Sequence, residues 1–116
     1  MKRYLAVFTG SAAAMARWEA LTDAQRSQRH DAGFRAWGEW VQRHHTSIVE
    51  AGAPLGRTKL VSSAGTSDVR NNLAAFVVVQ AESHDDAARL FEGHPHFTLF
   101  PGEGVEIMEC LPVPSA

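Results

Sequence analysis

Residues 73–81 read Leu-Ala-Ala-Phe-Val-Val-Val-Gln-Ala, a run apolar on both alternating faces, and this constrains the fold most. A β-strand with carbon on both faces must be covered on both. Two other runs behave alike: Tyr4 to Phe8 sets Leu5 and Val7 against Tyr4, Ala6 and Phe8, and Val105 to Leu111 sets Ile107 against Met108. Three such strands need a sheet with helices on one side and further apolar cover on the other.

Helical signals supply the first layer. Ser11 caps a short alanine-rich stretch, Ala12 to Leu21. Thr22 with Gln25 forms a capping box, and Asp23 complements the positive end of a helix dipole. The helical pattern then runs to Ala51, with Gly52, Ala53 and Pro54 as its stop. At about 100° per residue, Phe34, Trp37, Val41, His45 and Ile48 share one apolar stripe, and Trp40 lies off it. Ser83 caps a second helix that ends at Gly93. Thr58 to Ser62 reads as a short strand, joined by the turn-rich segment 63–72 to the strand at 73–81.

The order is strand, long helix, strand, strand, helix, strand. That is an α+β fold of ferredoxin-like βαββαβ type, a four-stranded antiparallel sheet with its helices on one face. At 116 residues, with 45% hydrophobic and 21% charged side chains, it is one domain spanning 1–116. Burying the other sheet face recovers several kcal/mol at about 25 cal/mol per Å². A second copy packed sheet to sheet, through Val77, Val79 and neighbours or their opposite-face counterparts, predicts a homodimer.

The net charge of −2, without a basic stripe, argues against nucleic acid as a partner. No apolar run approaches the ~20 residues of a membrane helix, and the apolar stretch after Lys2-Arg3 stops at Thr9-Gly10, too short for a signal peptide. One cysteine, Cys110, permits no internal disulfide, which fits a cytoplasmic location. It shares a strand face with Met108 and reads as packing.

The ends of the chain resemble the YCII-related proteins, small dimeric α+β barrels that include the DGPF type. The resemblance is carried by Met1-Lys2-Arg3-Tyr4-Leu5-Ala6-Val7-Phe8, by Glu50-Ala51-Gly52 with Pro54-Leu55-Gly56, and by Ala88-Arg89-Leu90-Phe91, His94-Pro95-His96-Phe97 and Val105-Glu106-Ile107-Met108-Glu109. It implies a His–Asp pair in a cleft, with dehydrochlorinase or hydrolase-like activity in some members. Where the family carries its helix histidine this chain has Val41, with His45 one turn on. The acidic residue before proline corresponds to His94, and the DGPF loop reads Ser67-Asp68-Val69-Arg70-Asn71-Asn72.

The histidines are therefore the candidates for chemistry. His45 on an apolar stripe is either a general base, a role suited to an imidazole at neutral pH, or a core histidine. His94 and His96 stand in a loop after the second helix, either closing a cleft or pinning a turn with Phe97 as its core plug. Trp37 and Trp40 are core residues or the aromatic wall of a ligand site; Lys59 is solvated or reaches the ligand. No metal site and no cofactor is expected, since Cys ligands and a helical H-E-x-x-H are lacking. The leading expectation is a cofactor-free enzyme acting on a small organic molecule by His-assisted proton transfer, with His45, His94 and His96 as its catalytic groups. The alternative is a non-catalytic dimeric module that binds a small ligand or a protein partner.

Overall fold

A computed structural model describes residues 1–114. Four strands form one antiparallel sheet: β1 (Lys2–Thr9), β2 (Ile48–Pro54), β5 (Leu73–Ala81) and β6 (Gly104–Glu109), in the order β2-β5-β1-β6. Helices α1 (Ala12–Glu19), α2 (Asp23–Arg43) and α3 (His84–Arg89), with the single turn α4 (Pro95–Thr98), complete the main body. Strands β3 (Thr58–Ser62) and β4 (Gly65–Val69) pair only with each other, as a separate hairpin. Counting sheet strands alone, the order is that of the ferredoxin-like α+β fold.

The helix starts follow their sequence signals. Ser11 accepts from the Ala14 N–H at 3.0 Å, and the Thr22–Gln25 box closes at 3.1 and 2.9 Å. The end of the long helix differs from the expectation. It stops at Arg43 instead of Ala51, and 48–54 forms the sheet strand that 58–62 was expected to supply. Ile48 and Val49 are β-branched and favour an extended chain. The segment before them is held by the Gln80 N–H, which donates to the Ser47 carbonyl at 2.8 Å, and by the Gln80 side chain on Thr46 at 3.1 Å. Gly52, expected to end the helix, has φ +70° within β2, where an added Cβ would stand 1.8 Å from the Phe76 carbonyl oxygen. It serves a β-bulge, which needs the same backbone freedom as a helix stop. Residues 63–72 likewise contain β4 and are not a plain loop.

The core lies between the sheet and the helices. Tyr4, Ala6 and Phe8 of β1 pair with Val79, Val77 and Ala75 of β5 on the covered face. Trp40, Ala87 and Phe91 close over them from the helices. Val77 and Val79 are therefore buried within the chain. The uncovered face carries their counterparts Leu5, Val7, Phe76 and Val78, all half-buried, and the exposed Met108. Cys110, expected to pack, is exposed. Among the described residues no helix is long and apolar enough to cross a membrane.

Candidate functional site

His94 is the most enclosed polar residue, 1% exposed, between α3 and α4. Its Nδ1 accepts the His96 backbone N–H at 3.0 Å and so caps α4. An accepting Nδ1 is unprotonated, so the proton of the neutral ring sits on Nε2. Nε2 is sealed from solvent and has no hydrogen-bond partner. Its surroundings are aromatic: ring centroids lie 4.5 Å away for Trp37, 4.7 Å for Trp40 and 5.0 Å for Phe8. Burial first, then the neighbouring His96 and His44, push the His94 pKa down to about 3. His94 is a neutral structural ring at physiological pH.

His96 has a different role. Its Nε2–H donates to the Thr9 carbonyl at 2.7 Å, because a carbonyl can only accept. That leaves Nδ1 with a lone pair and no hydrogen-bond partner among the described residues. Among the described residues only His94 Nε2 is both sealed and unpartnered, so His96 Nδ1 meets open space. Gly102 backs the ring: a Cβ there would lie 2.3 Å from Nε2 and 2.4 Å from the His96 carbonyl oxygen. Burial pushes the His96 pKa below its ordinary value, and the bond to Thr9 offsets part of this. A neutral imidazole with one fixed N–H and one free lone pair is the form a general base needs.

His96 lines a cleft of about 410 Å³ between α2, the start of β5 and the segment after α4. Phe34, Trp37 and Phe100 supply its aromatic walls, and His96 its polar group. Phe100 seats against Gly33, where any Cβ would strike its ring at 2.6 Å. A second hollow of about 190 Å³, behind Trp37, reaches toward β2 and Trp40. The two share Trp37 and Ala75 as a partition. A larger concavity, about 850 Å³, lies at the base of the β3–β4 hairpin and is lined by exposed Arg57, Lys59, Asp68 and Arg70. It contains none of the buried histidines.

Several candidates move from their expected places. His45 follows α2 in an exposed turn, its Nδ1 3.0 Å from the Gln42 carbonyl, and does not share the buried face. Its neighbour His44 turns inward instead, 5.3 Å from Trp40 between ring centroids, with its pKa lowered by burial and then by Arg43. Trp40, placed off the stripe from sequence, is buried and donates from Nε1 to the Leu90 carbonyl at 2.7 Å. Trp37 is half-buried and walls the cleft. Lys59 pairs with Asp68 at 2.7 Å on the hairpin, outside the cleft. Phe97 is exposed and plugs no core; Phe100, unmarked from sequence, is half-buried against Gly33 and walls the cleft. The structure thus brings together His94, His96, Trp37 and Trp40, and not His45, Lys59 or Phe97. Among the described residues no three His, Cys, Asp or Glu side chains group as a metal site would require.

No family model matches this chain, and no curated protein does. Among solved structures it is similar to 5-chloro-2-hydroxyhydroquinone dehydrochlorinase from Burkholderia phenoliruptrix AC1100, in complex with 2,5-dihydroxybenzoquinone. The two are 13% identical with a TM-score of 0.49, over 90% of this chain and 89% of that one.

Proposed function

We propose that the protein is a small, cofactor-free enzyme of the YCII-related type, working as a cytoplasmic homodimer, that moves a proton on a small organic molecule with His96 as its base. One observation carries this reading: the imidazole of His96 is oriented by Thr9 through Nε2 and lines an apolar cleft. A base fixed in orientation and shielded from bulk water abstracts protons better than free imidazole. His94 supports it by holding the start of α4, and Trp37 walls the ligand space.

A second reading is favoured by the cleft wall itself, which among the described residues has no carboxylate beside His96. A non-catalytic module binding a small ligand needs no second titratable group. Crystallising the protein with a mixed metabolite pool and identifying the occupant tests the site. The proposal expects a small molecule with a polar atom within about 3 Å of His96 Nδ1. An occupant elsewhere, with the cleft empty, would count against both readings.

A further inference from the structure

We infer that the cleft takes a flat, uncharged ring bearing one hydrogen-bond donor, and that Gly38 sets how large that ring can be; this rests on the cleft assignment made above. Two glycines inside α2 differ in what surrounds them. Each costs a helix interior about 1 kcal/mol relative to alanine. Gly33 is explained by packing, since Phe100 occupies the place of its missing side chain. Gly38 has no such reason. A Cβ built there meets nothing within 4 Å, and its φ is not in the left-handed region. The space a side chain would fill is the cleft that Gly38 lines.

Phe34 stands one turn before Gly38 on the same helix face, and side chains lean toward the helix start. A residue larger than glycine at 38 would therefore project along the wall shared with Phe34 and Trp37. The chemistry of the walls selects the ligand. Apart from His96 and the indole N–H of Trp37 the lining side chains are carbon and none is charged, so a carboxylate or phosphate would enter without a counter-charge and lose its hydration. Aromatic walls favour a planar ring through stacked and edge contacts. The free lone pair on His96 Nδ1 accepts one donor, such as a hydroxyl or ring N–H. A volume of about 410 Å³ lies in the range usual for small-molecule pockets.

Calorimetric titration of the full chain with phenol, naphthol, cyclohexanol and benzoate tests this, alongside melting temperatures. The wild type is expected to bind phenol and naphthol, cyclohexanol about tenfold more weakly, and benzoate not measurably. Gly38→Ala is expected to raise the melting temperature by about 4 °C, as a relieved helix should, while weakening naphthol about tenfold and sparing phenol. Gly38→Leu is expected to lose both ligands without a lower melting temperature. Naphthol binding unchanged in a folded Gly38→Leu would overturn the role of Gly38. Benzoate or cyclohexanol binding as well as phenol would overturn the ring class. Neither result bears on His96 as a base, which is read separately from the rate of proton abstraction by the wild type and a His96 variant.

Discussion

His94 Nδ1 accepts the backbone N–H of His96 at 3.0 Å, so one histidine builds the turn that presents the other. The first is locked neutral by that bond and by burial. The second donates from Nε2 to the Thr9 carbonyl at 2.7 Å.

Acid should unfold this protein by titrating His94. Its folded pKa, about 3, lies below the ordinary 6.5, and His96 and His44 are shifted in the same direction. Between those values the unfolded chain binds more protons than the folded one, so stability rises with pH through the window. It is complete above about pH 6.5 and falls as pH drops. His94 alone is expected to cost about 3 kcal/mol between pH 6.5 and pH 4. Urea unfolding followed at half-unit pH steps reads this slope; a flat profile down to pH 4 would contradict it.

Gly102→Ala should do the opposite of Gly38→Ala. The new Cβ would meet His96 at 2.3 and 2.4 Å, one of those contacts being with backbone. His96 must then move and release the Thr9 carbonyl. A loss of about 2 kcal/mol is expected, of the size seen when core packing is overfilled. Urea unfolding reads the loss, and a variant as stable as wild type would show that the ring has room to shift.

The uncovered sheet face predicts the oligomer. Light scattering at micromolar concentration should return about twice the 12.7 kDa chain mass. Val78→Asp, on the open face, should yield a folded monomer, whereas Val77→Asp, 4% exposed beneath the helices, should unfold the chain. A soluble wild-type monomer would remove the sheet-to-sheet dimer.

The sequence carried the fold further than the site. Strands β1, β5 and β6 were legible because their faces alternate or are apolar throughout, and the starts of α1, α2 and α3 because their caps are local chemistry. The β2 strand was not. Gly52 signals equally a helix stop and a bulge, and what decides is Gln80, more than two dozen residues away, holding Thr46 and Ser47. That misplaced end carried His45 onto the helix stripe. The stripe itself marked something real, since Phe34, Trp37 and Val41 line the two hollows. Trp40 is core, one of its two sequence readings, although it lies off the stripe; its partner is the Leu90 carbonyl, a contact with no sequence signature. His94 and His96 were found, but their division of roles depends on which ring nitrogen meets which backbone group.

Proton abstraction from nitrobenzisoxazole tests the central claim most directly. This flat, uncharged ring loses its C–H proton to a base as its N–O bond breaks, giving a coloured cyanophenolate, and it needs no cofactor. The account predicts turnover by the wild type that climbs through a pKa below 6.5 and is level at neutral pH, in keeping with the lowered value of His96. His96→Ala should lose at least about a hundredfold, the usual contribution of a placed general base, while His45→Ala, altering an exposed turn, should retain the wild-type rate. A wild type no faster than free imidazole, or a His96→Ala variant as fast as wild type, would contradict it.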